Sequence, residues 1–215
     1  MSKTLQVQTF TFNAFQENTY LITNAQNQCW IVDPGMFDIA ETNHFFDYIN
    51  HHHLIPQAVI NTHTHLDHIF GVHACMEQFN IPFLIHEKDV PVLDNAQASA
   101  ALFGFRLPLV PRPSGFIDEG RPFVVGNESL SVLFTPGHSP GSISFYHEAG
   151  GWVIGGDVLF NGSIGRTDLP GGNYNTLIES IRKEMLVLPD ETIVYSGHGP
   201  STTIGRERRS NPFLQ

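Results

Sequence analysis

Ile60-Asn61-Thr62-His63-Thr64-His65-Leu66-Asp67-His68 places three imidazoles and a carboxylate within six positions. An apolar run, Ala58 to Ile60, precedes it, and a helix-like run follows. If the preceding strand stays extended for a few residues, His63 and His65, two apart, project from one face and can grip one ion. A helix starting near Leu66 would put Asp67 and His68 in its first turn, close to those histidines but aimed differently. One short segment can therefore serve two ions. Neutral imidazole suits Zn, Fe, Ni or Cu, and a carboxylate among the ligands favours a hydrolytic or oxidative centre over a structural thiolate one. A polar turn that happens to carry histidine, in a chain with 12 of them, does not account for this density.

Working outward, the same arrangement recurs. After a strand candidate at Ser129 to Phe134 comes Thr135-Pro136-Gly137-His138-Ser139-Pro140-Gly141. Trp152 to Ile154 ends in Gly155-Gly156-Asp157, where glycines let the backbone approach something closely. Thr192 to Tyr195 ends in Ser196-Gly197-His198-Gly199-Pro200. Four times, a short apolar strand delivers a ligand-type residue into a loop. Strand, crossover and strand around the first motif match the rule that functional residues gather at carboxyl ends of strands.

The 215 residues fit one domain, 1–215, with 41% hydrophobic and 15% charged residues, 19 Gly and 14 Pro, as in a loop-rich globular chain with substantial β content. The net charge of −10 argues against general affinity for nucleic acid, which needs clustered Lys and Arg. The one basic cluster, Arg206 to Arg209, reads as a solvated helix end. No stretch approaches 18 consecutive apolar residues, and Met1 to Thr9 shows no secretory pattern, so no membrane partner is expected and the expected location is cytoplasmic. Cys29 and Cys75 form no recognisable spacing and read as buried thiols.

Leu5 to Phe12, Thr19 to Thr23 and Cys29 to Val32 are strand candidates, the first two separated by a polar turn around Gln16-Glu17-Asn18. Asp33 at a strand end is open to two readings, turn former or orienting partner of a histidine. A helix is predicted from Asp38 to His51 with Ile39, Phe46 and Ile49 on one face. His51-His52-His53 reads as an exposed helix end, and His73 and His86 as ordinary helix and strand-end residues. Asp94 to Gly115, with Pro108, Pro111 and Pro113, is expected to be a long loop forming a lid or binding edge. Phe103 and Phe105 within it either pack beneath it or line a groove. Gly162 to Gly172, carrying Arg166 and Asp168, is a second loop, followed by a helix from Tyr174 to Met185.

Thr62-His63-Thr64-His65-Leu66-Asp67-His68, Gly137-His138, Gly156-Asp157 and Gly197-His198, in that order, resemble the signature of the metallo-β-lactamase superfamily. The resemblance covers almost the whole chain. It implies an α/β fold of the four-layer αββα sandwich type with a two-metal site along one edge. It further implies that His63, His65 and His138 hold one metal and Asp67, His68 and His198 the second, with Asp157 bridging. Gly156-Asp157-Val158-Leu159-Phe160 followed by Gly165-Arg166-Thr167-Asp168 is similar to the glyoxalase II (hydroxyacylglutathione hydrolase) branch, and the ends Gly-His-Gly-Pro and Asn-Pro-Phe-Leu to its short bacterial members. In that branch a basic residue matching Arg166 contacts glutathione. The departures are the C-terminal helical domain of full-length glyoxalase II, which these 215 residues are not expected to include, and two glutathione-contacting tyrosines, whose positions hold Asp168 and Pro200.

The implied chemistry is hydrolysis of a small-molecule thioester. Two cations about 3.5–4 Å apart can share a hydroxide and polarise a carbonyl, and water on Zn has its pKa lowered to about 7. Asp67 is expected to take part in proton transfer as well as in binding metal. The thiol leaving group, with a pKa near about 8.5, needs little acid assistance. Arg166 either holds a substrate carboxylate or forms a structural salt bridge. Zn is the first choice for both divalent ions, with Fe or Mn compatible. Persulfide dioxygenase, with a similar Gly-Arg-Thr-Asp segment and a single iron, is the alternative enzyme, and a metal-binding protein without catalysis the alternative of another class. A secreted β-lactamase is disfavoured by the missing leader pattern and by His68. Oligomeric state is not legible.

Overall fold

A computed structural model describes residues 5–107, 110 and 112–215. Residues 1–4 of the stretch read for a leader, and Pro108 and Pro111 of the proline-rich stretch, lie outside the described residues. The first half of the chain runs β1 (Gln6–Phe12), β2 (Glu17–Thr23), β3 (Gln28–Val32), α1 (Ile39–His51), β4 (Ile55–Ile60), α2 (Val72–Phe79), β5 (Phe83–Ile85), α3 (Val90–Asp94), α4 (Ala96–Leu102) and β6 (Gly115–Phe116). The second half runs β7 (Phe123–Val125), β8 (Glu128–Phe134), β9 (Ile143–His147), β10 (Trp152–Gly156), β11 (Leu159–Phe160), β12 (Ser163–Ile164), α5 (Tyr174–Ser180), β13 (Ile193–Ser196), β14 (Thr202–Thr203) and α6 (Ile204–Ser210). Each half builds a six-stranded sheet, in the orders β1-β2-β3-β4-β5-β6 and β14-β13-β10-β9-β8-β7, and β11 and β12 form a separate ribbon.

Alternation along the strands dictates four layers. Tyr20 and Ile22 of β2, Trp30 and Val32 of β3, and Ala58 and Ile60 of β4 face Leu130, Val132, Phe145, Trp152 and Ile154 of the other sheet. The residues between them, Leu21, Ile31 and Val59, point the opposite way and pack with Phe45 and Ile49 of α1 and Val72 and Cys75 of α2. On the far side, Val153 and Val194 alternate out to meet Leu177, Ile181 and Ile204. A strand buried on both faces has no polar side to spare, which is why these runs read as continuously apolar. The result is the expected αββα sandwich.

Several local expectations change. Glu17 and Asn18 belong to β2, and the turn sits earlier, where Asn13 and Gln16 adopt positive φ of 53° and 57°. Helix α1 is capped by Asp38, which accepts from Glu41 N, but Ile39 is 79% exposed and the inward face is Phe45 and Ile49. The stretch from Asp94 to Gly115 contains α4, because Ala96-Gln97-Ala98-Ser99-Ala100-Ala101-Leu102 is rich in the best helix former. After His65 the chain makes only a 3₁₀ turn, Leu66–His68, before α2 begins at Val72. Cys29 and Cys75 are buried as expected, and Arg208 and Arg209 of α6 pair with Asp190. Among the described residues no helix is long and apolar enough to cross a membrane.

Candidate metal centre

The loops after β4, β8, β10 and β13 meet at one edge of the sandwich. They are stitched across the two sheets by Ile143 N donating to Thr62 O at 2.9 Å and Asn18 N donating to Gly197 O at 2.7 Å. The structure brings together all seven residues read from the sequence as ligands. His63, His65 and His138 form one cluster and Asp67, His68 and His198 another. Asp157 lies between them, 3.4 Å from His138 Nε2, 3.5 Å from His68 Nε2 and 3.4 Å from His198 Nε2. Asp33, His63 and His68 also converge, so Asp33 adjoins the centre from behind.

The ring nitrogens pointing away from the centre reveal what those pointing inward must be. His138 Nδ1 lies 2.7 Å from Arg166 O, His198 Nδ1 3.0 Å from Phe15 O, and His68 Nδ1 3.2 Å from Asp33 Oδ2. Those partners only accept, so each Nδ1 carries the proton. Thr62 Oγ1 donates to Asp33 Oδ2 at 2.6 Å and therefore accepts from His63 Nδ1 at 3.1 Å. In their neutral forms His63, His68, His138 and His198 all turn an Nε2 lone pair inward. His65 contributes Nδ1, 2.7 Å from His138 Nε2, and His138 Nε2 is 3.2 Å from His63 Nε2. Three converging lone pairs repel unless a cation sits among them. His68 Nε2 and Asp157 Oδ1 are buried with no hydrogen-bond partner, as ligand atoms awaiting a cation would be. Gly197 leaves the space they need, since a Cβ there would fall 2.1 Å from Asp157 Oδ1 and 2.9 Å from His68 Cε1.

In the metal-free protein, electrostatics set His63 and His65, held neutral, apart from His68 and His198, whose extra proton a bound cation would displace. Burial, reinforced by His138, pushes the His65 imidazole down to about 3, and burial also holds His63 well below its usual range. For His198 burial opposes charge, but hydrogen bonds to Asp157 and Asp67 prevail and carry it up to about 10. His68 behaves alike: desolvation is overcome by Asp67 and Asp157. Burial works to raise both carboxyls, yet His68 and His198 hold Asp67 below, and Asp157 well below, the ordinary range. Both carboxylates are thus ionised at neutral pH.

Surrounding residues fix these ligands. Asp33, at φ 50°, is both turn former and orienting partner, for its carboxylate also accepts from Thr62 N at 2.7 Å. Gly156, at φ 53°, admits Thr62, whose Oγ1 would stand 2.4 Å from a Cβ. Sequence reasoning missed four supports. Asp89, fully buried, accepts from Thr64 N, Thr64 Oγ1, Ser139 Oγ and Gly141 N, so it ties the His63–His65 loop to the His138 loop. Asn61 Nδ2 donates to His63 O and His68 O at 3.2 and 2.8 Å. Asn13 Nδ2 donates to Gly35 O and Asp67 O at 2.9 and 3.2 Å. Glu17, fully buried, lies 3.8 Å from His68 Nδ1. None of the four carried a signal in the sequence: Asn13 sits in a turn, Glu17 opens β2, Asn61 follows β4 and Asp89 ends a 3₁₀ turn. Arg166 contributes its backbone carbonyl to His138, while its guanidinium makes a paired contact with Asp168 at 2.7 and 2.8 Å.

A family model described as the metallo-beta-lactamase superfamily matches residues 12–198. The chain belongs to the metallo-β-lactamase superfamily. Its fold binds divalent metals, in keeping with the histidine clusters. "Probable metallo-hydrolase YqgX" of Bacillus subtilis (strain 168) is 40% identical over 93% of this chain and 92% of its own length. "Hydroxyacylglutathione hydrolase GloC" of Haemophilus influenzae is 36% identical over 98% of each. Among solved metallo-β-lactamase folds, BLEG-1 B3 metallo-beta-lactamase superposes with a TM-score of 0.90 at 38% identity, over 98% of this chain and all, 100%, of that one. TTHA1623, solved in a di-iron-bound form, gives 0.88 at 38% identity, over 97% and 100%. The chain is accordingly a member of a metallo-hydrolase superfamily.

Proposed function

We propose that this chain is a thioester hydrolase of the hydroxyacylglutathione hydrolase type, with S-lactoylglutathione as its reference substrate. The observation that carries the proposal is the pairing of two ligand clusters around Asp157 at the floor of a groove of about 820 Å³. The kinship with GloC supports the thioester as substrate class. His63, His65 and His138 would hold one divalent ion, Asp67, His68 and His198 the other, and Asp157 would reach both. Zn is the first choice, and Fe or Mn would suit the same ligands. Bound there, two such ions supply Lewis acidity and a water acidic enough to attack at neutral pH.

The chain's own groups do the rest. Water adds to the thioester carbonyl carbon, the C–S bond breaks, and a carboxylate and a thiol leave. Asp67, ionised and 3.1 Å from His198 Nε2, is placed to take the proton that the attacking water loses. Its neighbour Leu66 and the Phe15 ring wall the site against bulk water. The complete second cluster, Asp67, His68 and His198, favours two ions over the single iron of a persulfide dioxygenase.

A panel of S-lactoylglutathione, other acyl thioesters and a β-lactam, run beside metal analysis, tests the proposal. Thioester turnover that falls at least about 100-fold in Asp67→Ala is expected. Oxygen uptake with glutathione persulfide and one iron per chain would replace it with the dioxygenase reading, and turnover of the β-lactam alone with a lactamase. Full metal loading without turnover of any substrate would leave a metal-binding protein.

A further inference from the structure

We propose that the groove selects thioesters bearing an extended apolar arm, of four or more carbons, over thioesters whose arms carry several charges. The proposal rests on the thioester reading and names the substrate class within it. The walls beside the metal centre are Phe15, Val92, Leu102, Phe103, Leu169 and Pro170. Leu102 is 87% exposed and Phe103 53% exposed, both on the rim contributed by α4. Large apolar side chains held in water beside a catalytic centre mark a surface awaiting an apolar ligand. Ala98 and Ser99 of the same helix are small and keep the groove open.

Charge points the same way. Among the described lining residues Arg166 is the one lysine or arginine, and its guanidinium is already engaged by both oxygens of Asp168. A glutathione arm brings two carboxylates and an ammonium, and would find one partly neutralised cation. An alkyl or aryl arm would instead cover Leu102 and Phe103 and release water from both. The space, about 820 Å³, also far exceeds what a lactoyl group needs.

The experiment pairs acetyl, butyryl, hexanoyl and octanoyl thioesters of N-acetylcysteamine, an uncharged thiol, with the same acyl groups on glutathione. kcat/KM is measured with the zinc-loaded protein. Calorimetric binding of the corresponding S-alkyl thioethers of N-acetylcysteamine, which cannot be hydrolysed, gives a readout independent of turnover. Both kcat/KM and thioether affinity should rise roughly two- to fourfold for each added methylene up to six carbons. Leu102→Ser and Phe103→Ser should each flatten that slope, with the melting temperature checked to confirm folding. A flat or falling slope in thioether binding overturns the inference even if thioesters are cleaved. So does a tenfold preference for the glutathione thioester at equal acyl length. Thioethers binding with the expected slope while no thioester is cleaved would uphold the groove's preference and sink the hydrolase reading instead.

Discussion

Asp89 touches none of the metal-facing atoms, yet its two oxygens accept from Thr64 N, Thr64 Oγ1, Ser139 Oγ and Gly141 N in a fully buried position. Asp89→Asn keeps the shape but turns an NH₂ toward donors, and should cost about 2–4 kcal/mol in the denaturant midpoint of the metal-free protein. Because both histidine loops hang on that carboxylate, zinc affinity by chelator competition should also fall about 10- to 100-fold. Unchanged values for both would remove Asp89 from the support of the site. Asp33→Asn should lower zinc affinity by a similar factor, since His68 Nδ1 then faces a weaker partner or a competing donor. The ligands themselves were legible because His and Asp behind short apolar strands have a chemical reason to be there. Asp89, Asn61, Asn13 and Glu17 were not, since a lone polar residue gives no hint of which distant loop it braces. Asp33 lay between: its turn role was readable, its contact with His68 needed the fold.

At the scale of the element, each ligand depends on how closely its loop can approach the next. Gly197→Ala would drive a methyl group into Asp157 Oδ1 and His68 Cε1. Circular dichroism should stay native while metal bound per chain drops, because the clash falls between the two clusters and not in the cores. Retention of both ions at wild-type affinity would show that the site tolerates the displacement. The segment after α4 depends on aromatic packing. Phe105 sits 5.5 Å from Phe15, 5.2 Å from Phe37 and 5.6 Å from Phe70, centroid to centroid. Phe103 meets Phe15 edge-on at 6.1 Å and also lines the groove. Phe105→Ala should therefore cost about 1–3 kcal/mol and open the segment to limited proteolysis, a change that Leu102→Ser should not produce. The two phenylalanines thus divide the two sequence readings between them. Strands were legible from unbroken apolar runs, whereas α4 was hidden by prolines downstream that made its alanines look like part of one loop.

Across the whole molecule, two sheets alternate their side chains into an inner core and two outer ones, and the buried thiols report on the first outer layer. Burial pushes Cys29 up to about 12 and also raises Cys75. In the unfolded chain a thiol ionises near about pH 8.5. Between these values unfolding releases protons, so stability is full below about pH 8.5 and declines as pH rises, by up to about 1.4 kcal/mol per pH unit for each thiol. Urea midpoints from pH 8 to 10.5 should show that decline, and a flat profile would contradict the burial of the two cysteines. The αββα layering was readable only through the resemblance that the ordered motifs bear to the metallo-β-lactamase superfamily, because strand ends by themselves do not say how the sheets stack. Which walls flank the centre was not, because groove lining arises from segments as far apart as Phe15, Val92 and Leu169. The central claim, a two-ion thioester hydrolase, is met most directly by titrating zinc into the metal-free protein while following hydrolysis of both S-lactoylglutathione and the hexanoyl thioester of N-acetylcysteamine. Activity should climb to a plateau at two equivalents per chain. No hydrolysis at any zinc level, or a plateau reached at one equivalent, would contradict it.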